Sequence, residues 1–423
     1  MTDITFNGGK VSGTVTPPSS KSFTHRAIIL AALSGGRCRI DNPLISFDTE
    51  ATMDAVRSMG ADVSKDGGSV IVDASAGLHA PSGTIDVLNS GTTLRLMTGV
   101  ASTFGSETEL TGDESIRKRP MGPLLDALAL NGVVCSSSDG RPPVRVRGPL
   151  KGGRMEIDGG MSSQFVASIM ISAPLAQSPV DIHVVGELVS KPYADITLSM
   201  MKRFGADIEE TGYGYHVGSK GYTPIDYSVP SDYSSAAFPL VAGALGGEAT
   251  VHNMDPESKQ GDKRIADILE DAGMNVIREK DTITCIGTGR PKAIDVDMSD
   301  IPDLFPIVSV LLSTANGESR LYGAPHLRFK ESDRIQLTTD MISALGGDIT
   351  GTDDGCVIRG VERLTGGRIE HAGDHRMMMS AAIASLVSEG PVSMEDDACW
   401  NVSYPGFPEQ MISLGMRCDR CTR

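Results

Sequence analysis

The strongest constraint on the fold of this chain is an internal repeat with a period of about 70 residues. The pattern apolar–Gly–x–x–apolar recurs at the end of a helical stretch in each copy. The glycines are nearly evenly spaced, at Gly60, Gly132, Gly205, Gly273, Gly346 and Gly415. Glycine is common just after a helix, where the backbone turns left-handed. Six copies predict six similar structural units.

Apolar helical runs recur with the same period. They begin at Ser20, Ser90, Ser162, Asp232, Pro302 and Asp374. Five of these residues are Ser or Asp, which cap helix N-termini, and Pro favours the first helical turn. Because the runs are apolar on nearly all sides, we expect buried helices. Each unit is predicted to contain this helix, a strand, an amphipathic helix ending at the Gly, and two further strands.

The repeats favour two globular domains over one solenoid. Solenoid repeats are generally about 20–45 residues long, shorter than these units. Two sets of three units give domains near the upper end of the normal size range. Pro230 lies between the third and fourth units, and Pro17 and Pro18 follow the N-terminal strand. We therefore predict an N-terminal lobe of residues 19–229 and a C-terminal lobe of residues 1–18 plus 230–423, with the N-terminal strand paired in the latter.

Composition argues against several classes of protein. The net charge of −16 disfavours binding to nucleic acid or to anionic membranes, and the aromatic content of 4% disfavours base stacking. No secretory signal is visible and no uninterrupted apolar stretch approaches the length of a transmembrane helix, so we expect no membrane span. Seven scattered cysteines predict free thiols in the cytoplasm. The pair Cys418 and Cys421 is interpreted as part of a frayed tail rather than a zinc site.

Basic residues nevertheless gather at helix starts. Lys21 and Arg26 open the first apolar helix, Arg95 lies one turn into the second, and Arg376 is in the first turn of the sixth. Further bases precede or open amphipathic helices: Arg117, Lys118, Arg119, Lys191, Arg328, Lys330 and Arg334. Each alone is typical of a solvated surface charge. Because a helix N-terminus is already positive, their repetition predicts anionic substrates bound in a cleft between the lobes.

Eight segments resemble a known enzyme family. They are SSKSFTHRA (19–27), LNSGTTLR (88–95), LTGDESIRKRPM (110–121), SSQF (162–165), LVSKPY (188–193), IPD (301–303), LRFKESDR (327–334) and DHRM (374–377). In this order they resemble the 5-enolpyruvylshikimate-3-phosphate (EPSP) synthase family. The resemblance implies an α/β fold, a two-lobed inside-out α/β barrel. Each lobe would contain three repeats, with helix N-termini facing the interdomain cleft.

The resemblance also implies an activity. Members of the family transfer the enolpyruvyl group of phosphoenolpyruvate to the 5-hydroxyl of shikimate 3-phosphate and release phosphate. This transferase step belongs to the shikimate pathway, which leads to chorismate and the aromatic amino acids. No metal or organic cofactor is implied. We expect a cytoplasmic monomer whose partners are small anionic substrates, with neither nucleic acid nor membrane.

Site residues follow from the matching positions. For shikimate 3-phosphate they are Lys21, Ser22, Arg26, Ser162, Ser163, Gln164, Ser190, Tyr193, Asp303 and Lys330. For phosphoenolpyruvate they are Lys21, Gly91, Arg119, Gln164, Arg334 and Arg376, with Arg95 orienting the loop. The implied catalytic groups are Asp303 as base for the 5-hydroxyl, Glu331 for proton exchange at the methylene, and Lys21. Read alone, the serines are typical helix caps, Asp303 a first-turn acid and Glu331 a surface acid.

Two positions depart from the family pattern. Val402 stands where a lysine that contacts phosphoenolpyruvate is usual, so we expect weaker binding of that substrate or compensation by a nearby cation. His326 stands where some relatives have Asn; it is either a hydrogen-bonding group or a surface histidine. The MMM segment, residues 377–379, is interpreted as core.

Three alternatives remain open at this point. Val402 favours a catalytically impaired relative that acts as an anion-binding module. UDP-N-acetylglucosamine enolpyruvyl transferases share the fold, but they typically carry Lys–Asn where this chain has Lys21–Ser22. RNA-terminal phosphate cyclases can be built from related repeats, and the acidic charge and the absent nucleotide-transfer His motif argue against that class.

Overall fold

Helices and four-stranded sheets alternate along the chain in the computed structural model, which describes residues 2–330 and 332–422. The protein is therefore of the α/β class. Its contacts divide it into two units. We call Ser19–Val229 the middle unit, and Met1–Pro18 together with Pro230–Arg423 the split unit.

The chain begins with two strands of the split unit, β1 (Thr2–Gly9) and β2 (Thr14–Val15). The middle unit then contains α1 (Lys21–Leu33), β3 (Arg37–Asp41), α2 (Phe47–Ser58), β4 (Asp62–Asp66), β5 (Ser69–Asp73), β6 (Ile85–Asp86), α3 (Gly91–Ala101), β7 (Thr108–Thr111), α4 (Glu114–Arg117), α5 (Gly122–Leu130), β8 (Val134–Ser138), β9 (Arg141–Arg147), β10 (Gly153–Asp158), α6 (Ser163–Ser172), β11 (Val180–Val185), α7 (Lys191–Arg203), β12 (Ile208–Thr211), β13 (Gly214–Val217) and β14 (Tyr227–Ser228). A short 3-10 turn, Ala173–Leu175, follows α6.

The split unit resumes after Pro230. Its elements are α8 (Tyr233–Gly246), β15 (Glu248–His252), α9 (Ile265–Asp271), β16 (Asn275–Arg278), β17 (Thr282–Ile286), β18 (Val296–Asp297), α10 (Phe305–Leu312), β19 (Glu318–Tyr322), α11 (Arg334–Ala344), β20 (Asp348–Gly351), β21 (Cys356–Arg359), β22 (Gly367–Arg368), α12 (His375–Ala384), β23 (Val392–Glu395), α13 (Phe407–Ser413) and β24 (Met416–Thr422). Its 3-10 turns are Gly261–Arg264, Pro302–Leu304, Pro325–Phe329, Ser385–Val387 and Cys399–Val402.

Each unit holds three four-stranded sheets within the described residues. Their strand orders are β14-β3-β5-β4, β6-β7-β9-β8 and β10-β11-β13-β12 in the middle unit, and β2-β15-β17-β16, β18-β19-β21-β20 and β22-β23-β1-β24 in the split unit. In every sheet the first pair of strands is parallel and the other two pairs are antiparallel. The sheets therefore follow the repeat seen in the sequence.

The N-terminal strand completes the last sheet of the split unit. β1 lies between β23 and β24 and is antiparallel to both, with Ile4 opposite Met394 and Phe6 opposite Cys418. The expectation of a frayed C-terminal tail is wrong, because β24 is hydrogen-bonded to β1 through Thr422. β24, a strand of alternating polar and apolar residues, is thus stabilised by β1 from the opposite end of the chain.

The repeated glycines adopt the conformation for which glycine is needed. Gly60, Gly132, Gly205, Gly273, Gly346 and Gly415 have φ values of 100°, 86°, 79°, 87°, 83° and 102°. Side chains other than glycine rarely adopt this left-handed region. The prediction that each glycine ends a helix is confirmed.

The apolar runs form the central helices of each unit. Ser20, Ser90, Ser162, Asp232 and Asp374 are the N-caps of α1, α3, α6, α8 and α12, and Pro302 opens the turn before α10. The side chains of four of these five N-caps accept a hydrogen bond from a backbone N–H group, and Ser20 is the exception. Residues 377–379 are core, as expected. No helix among the described residues has the length and hydropathy of a membrane span.

Candidate active site

Lys21 is the first residue of α1 in the middle unit. Its Nζ lies 3.0 Å from Asp48 Oδ2, and both side chains are mostly buried. Asp48 is in the first turn of α2, where a carboxylate also complements the helix dipole. The ion pair fixes the ammonium group at the N-terminus of α1, beside Ser22.

Arg26 lies one turn further along α1 and is 1% exposed. Its Nε donates to Thr197 Oγ1 at 2.7 Å, Nη1 to the Ser22 carbonyl at 2.9 Å and Nη2 to the Tyr193 carbonyl at 3.2 Å. Burial lowers the pKa of Arg26 to about 10, so the guanidinium stays charged at neutral pH. Arg26 thereby connects the start of α1 to the start of α7. Its predicted contact with shikimate 3-phosphate stays a prediction.

Gly91 and Arg119 are in close contact at the start of α3. A Cβ on Gly91 would lie 2.5 Å from Arg119 Nη1, so only glycine leaves the guanidinium in this place. Arg119 is 5% exposed, and its Nε and Nη2 have no hydrogen-bond partner among the residues that the structure describes. Since buried polar groups are nearly always satisfied, this guanidinium has the character of a ligand-binding group.

Gln164 connects α6 with α3. Its Oε1 accepts a hydrogen bond from Arg95 Nη1 at 2.7 Å, and its Nε2 donates to Thr92 Oγ1 at 3.0 Å. Arg95 also lies over the Phe165 ring, 5.5 Å from its centroid. Arg95 thus connects α3 with the start of α6, and its role in orienting the loop stays a prediction. Ser162, the N-cap of α6, accepts from Gln164 N, and Ser163 is buried.

Ser190 precedes α7 in a left-handed conformation, with φ 55° and ψ 39°. A non-glycine residue held there is strained, and such residues concentrate at functional sites. Ser190 is buried, whereas Tyr193, in the first turn of α7, is partly exposed. The surrounding structure therefore holds the Ser190 hydroxyl at the start of α7 in spite of the strained backbone.

Asp303 is held between two arginines in the split unit. Its Oδ1 lies 2.8 Å from Arg334 Nη1, and its Oδ2 lies 2.8 Å from Arg376 Nη2. Asp303 sits in the turn that leads into α10, while Arg334 opens α11 and Arg376 is in the first turn of α12. Its side chain is 18% exposed, so solvent reaches a carboxylate whose oxygens are both oriented by cations.

Asp374 is a site residue that the sequence did not reveal. Its carboxylate accepts from Arg334 Nε at 2.9 Å, from Arg376 N at 3.0 Å and from Ser332 Oγ at 2.9 Å. Arg334 consequently bridges Asp303 and Asp374. The sequence placed Asp374 in the DHRM segment (374–377) that resembles the family and at the N-cap of the sixth apolar helix, and neither signal indicated its ion pair with Arg334. Asp48, the partner of Lys21, was missed for a similar reason.

Lys330 and His326 lie on the turn before α11. Burial, with a smaller contribution from the Lys330 charge, lowers the pKa of His326 to about 3, although Asp303 acts in the opposite direction. His326 is 6% exposed, so its interpretation as a surface histidine is wrong, and its imidazole is neutral at pH 7. Glu331, predicted to exchange protons at the methylene, lies outside the described residues.

Several of the basic residues at helix starts have other roles. Arg117 and Lys118 are exposed, and Lys118 pairs with Glu114. Lys191 pairs with Asp195 and Glu210. Arg328 pairs with Asp333 and donates to the backbone carbonyls of Thr352 and Asp353. Lys118, Lys191 and Arg328 thus have local partners, and sequence spacing does not distinguish a surface ion pair from a ligand-directed side chain.

One group of side chains has the donor types of a metal site. His371, Asp397 and Cys399 each offer a ligand atom within 4.8 Å of the others. His371 Nδ1 accepts from Gly373 N at 3.2 Å, and the Cys399 thiol donates to Met378 Sδ at 3.3 Å. Burial, followed by the Asp397 charge, raises the pKa of the Cys399 thiol well above its usual value. Because His371 and Cys399 have hydrogen-bond partners outside the group, in Gly373 and Met378, we interpret the three residues as a packed polar cluster.

Arg119 is a buried arginine whose Nε and Nη2 lack hydrogen-bond partners among the described residues, and Asp303 is a solvent-accessible carboxylate oriented by two cations. These groups suit an enzyme that binds anions and moves a proton. The family model of EPSP synthase (3-phosphoshikimate 1-carboxyvinyltransferase) matches residues 6–411. The class is thus a carboxyvinyl transferase, and the chain belongs to the EPSP synthase family.

Relatives and solved structures agree with this membership. The chain is 45% identical to the 3-phosphoshikimate 1-carboxyvinyltransferase of Methanocorpusculum labreanum, over 96% of this chain and 97% of that protein. It is 42% identical to the enzyme of the same name from Methanothermobacter thermautotrophicus, over 97% and 98%. The structure is similar to that of EPSP synthase from Acinetobacter baumannii, with a TM-score of 0.84, 28% identity and complete coverage of both chains.

Proposed function

We propose that this chain transfers the enolpyruvyl group of phosphoenolpyruvate to the 5-hydroxyl of shikimate 3-phosphate and releases inorganic phosphate. Membership of the EPSP synthase family over nearly the whole chain supports this activity. The structural observation that carries it is Asp303, which two arginines orient while part of its side chain stays open to solvent. The activity places the chain in the shikimate pathway as a transferase that needs no metal or organic cofactor.

Asp303 is the proton acceptor in this proposal. The 5-hydroxyl gives its proton to the carboxylate as its oxygen bonds to C2 of phosphoenolpyruvate, while C3, the methylene, gains a proton. The resulting tetrahedral intermediate loses inorganic phosphate and a proton from C3, which restores the vinyl group. Glu331 and Lys21 are proposed for the exchange at C3. In the unliganded protein the arginines hold Asp303 in place.

The arginines bind phosphoenolpyruvate. Arg119, Arg334 and Arg376 present planar guanidinium groups that suit bidentate contacts with carboxylate and phosphate. When the substrate's anionic groups occupy Arg334 and Arg376, Asp303 loses part of its cationic surroundings. A carboxylate with fewer neighbouring cations is a stronger base, so binding the second substrate increases its tendency to take a proton. Gly91 and Gln164 complete this set through their contacts at α3.

The serine-rich helix starts bind shikimate 3-phosphate. Ser162, Ser163, Gln164 and Ser190 offer hydroxyl and amide groups at the N-termini of α6 and α7, where backbone N–H groups also favour a phosphate. Lys21, Ser22 and Arg26 serve the same substrate from α1, together with Tyr193, Lys330 and Asp303. The strained backbone of Ser190 is consistent with a position fixed for binding.

The domain organisation belongs to the same proposal. We assign the middle and split units to the two lobes of an inside-out α/β barrel, with three repeats in each lobe. Three sheets of one topology in each unit support this assignment. We further propose a cytoplasmic monomer that binds small anionic substrates and neither nucleic acid nor membranes, consistent with a net charge of −16.

A phosphate-release assay tests the activity. Purified protein is mixed with phosphoenolpyruvate and shikimate 3-phosphate, and in a parallel reaction UDP-N-acetylglucosamine replaces shikimate 3-phosphate. Phosphate release with shikimate 3-phosphate alone supports the proposal. Release only with the sugar nucleotide, or no release from folded protein at high substrate concentration, contradicts it. Val402 favours an impaired anion-binding relative, whereas membership of the EPSP synthase family favours the active transferase.

A further inference from the structure

A network of buried hydrogen bonds joins α1, α2 and α3 near their N-termini. His25 Nδ1 of α1 lies 2.6 Å from Thr52 Oγ1 of α2. Thr93 Oγ1 of α3 lies 2.7 Å from both Thr52 Oγ1 and Ser90 Oγ. All four residues are 0% exposed, and none of them is among the residues proposed to bind a substrate. We call these four residues the buried network.

The direction of these hydrogen bonds follows from the number of protons. Thr93 Oγ1 donates to the Asp48 carbonyl at 3.4 Å, so it accepts from Thr52 and from Ser90. Because a hydroxyl has a single proton, Thr52 in turn accepts from His25 Nδ1–H. The backbone N–H of Thr93 also donates to Ser90 Oγ at 3.2 Å. The Thr93 hydroxyl is therefore the point at which the buried network converges.

His25 has the proton that this direction requires. Burial, followed by the charges of Lys21 and Arg26, lowers the pKa of His25 well below its usual value, so the imidazole is neutral and has one N–H. Its Nε2 has no hydrogen-bond partner within the residues that the structure describes. With the proton on Nδ1, every proton of the buried network has an acceptor, as is usual for buried polar groups.

Thr93 lies on the turn of α3 that contacts two side chains of the proposed phosphoenolpyruvate site. Gly91 is the position where a Cβ would lie 2.5 Å from Arg119 Nη1. Thr92 Oγ1 accepts a hydrogen bond from Gln164 Nε2 at 3.0 Å. Three consecutive residues thus connect the start of α3 with Arg119, with Gln164 and, through the Thr93 hydroxyl, with α2.

We propose that Thr93 is a positioning residue for phosphoenolpyruvate, an inference that rests on the proposed function. Its hydroxyl sets the start of α3 against α2, and the place of the Arg119 guanidinium depends on Gly91 at that start. Without this hydroxyl, Thr52 and Ser90 lose their buried acceptor. Because an unsatisfied buried donor is costly, the first turn of α3 then shifts and Arg119 with it.

Thr93→Val tests the inference, since valine has nearly the shape of threonine and no hydroxyl. KM and kcat for phosphoenolpyruvate are measured at saturating shikimate 3-phosphate. A misplaced binding group weakens binding of the ground state and of the transition state alike, so KM should rise about tenfold while kcat stays within about twofold of the wild type. An unchanged KM in the folded Thr93→Val protein overturns the proposal.

Two further variants separate the hydroxyl from a general loss of stability. Thr93→Ser restores the hydroxyl and should return KM to within about threefold of the wild type. Thr98→Val is the matched control, because Thr98 is a buried residue of α3 whose hydroxyl donates only within its own helix, to the Leu94 carbonyl. Its KM should equal that of the wild type. A serine variant as weak as Thr93→Val, or an equal rise of KM in Thr98→Val, overturns the proposal.

Thr52→Val provides a second test in case Thr93→Val does not fold. It removes one donor to the Thr93 hydroxyl and leaves the sequence of α3 unchanged, so KM for phosphoenolpyruvate should rise about threefold or more with kcat nearly constant. An unchanged KM in this variant also overturns the proposal. A wild type without transferase activity would instead contradict the proposed function.

Discussion

Arg334 donates to Asp303 through Nη1 and to Asp374 through Nε, at 2.8 and 2.9 Å, although its side chain is 1% exposed. One buried cation thus connects the turn before α10 with the N-terminus of α12. Arg376 completes the arrangement from the same helix start. Asp303, the proposed base, is consequently part of a network of buried ion pairs. A substitution at Asp303 therefore separates the loss of chemistry from the loss of stability only when the new side chain has the shape of Asp.

Asp303→Asn should reduce turnover by a factor on the order of 10²–10⁴, since an amide cannot accept the proton of the 5-hydroxyl. The amide oxygen still accepts one arginine hydrogen bond, so the variant should remain folded with a lower melting temperature. Initial rates of phosphate release and a thermal melt measure the two effects. Asp340→Asn on the exposed side of α11 is the control. Retained turnover in the folded Asp303→Asn protein would rule out Asp303 as the base.

Gly91→Ala should raise KM for phosphoenolpyruvate on the order of tenfold while leaving the melting temperature nearly unchanged. The added Cβ would lie 2.5 Å from Arg119 Nη1, which is the end of a flexible side chain, so the guanidinium moves and the backbone does not. Steady-state kinetics with both substrates measure the change. Gly105→Ala, where a Cβ meets nothing within 4 Å, is the matched control. An unchanged KM would show that Arg119 does not bind this substrate.

Val402→Lys should lower KM for phosphoenolpyruvate by about tenfold or more. Val402 ends the turn Cys399–Val402 at the position where the family resemblance implies a lysine. A charge-assisted hydrogen bond contributes about 1.5–3 kcal/mol, which corresponds to this change in affinity. Val402→Met controls for side-chain length without charge. If the lysine and methionine variants have equal KM values, another cation already fills the role.

His326→Asn should make stability less dependent on pH below neutrality. The folded protein holds the pKa of His326 at about 3, below its value in the unfolded chain, chiefly through burial. The unfolded state therefore binds more protons between about pH 6.5 and pH 3, and the wild type loses stability as pH falls through that window. From pH 6.5 to 5 this loss is about 1.6 kcal/mol, which Asn abolishes. Denaturant unfolding at both pH values measures it, and equal losses in the two proteins would contradict a buried neutral histidine.

Local features of the fold were readable from the sequence. Gly205 or Gly346 ends a helix because its own backbone conformation demands glycine, and Asp232 begins one because its own carboxylate caps the next turn. Such signals involve a few neighbouring residues. The repeat of about 70 residues then predicted the order of helices and strands in every unit, since similar segments form similar structures.

Contacts between distant residues could not be read in this way. The contact of Arg334 with Asp374 joins two different helix starts, and β24 is stabilised by β1 at the other end of the chain. The polarity of a side chain is known from the sequence, whereas its burial and its neighbours are set by packing.

The most direct measurement is ³¹P and ¹H NMR of the complete reaction. Protein is incubated with equimolar phosphoenolpyruvate and shikimate 3-phosphate, and both spectra are followed with time. The proposed function requires that inorganic phosphate and a new vinyl ether appear in equal amounts as both substrates disappear. Unchanged spectra from folded protein, or phosphate formed from phosphoenolpyruvate without shikimate 3-phosphate, would contradict it.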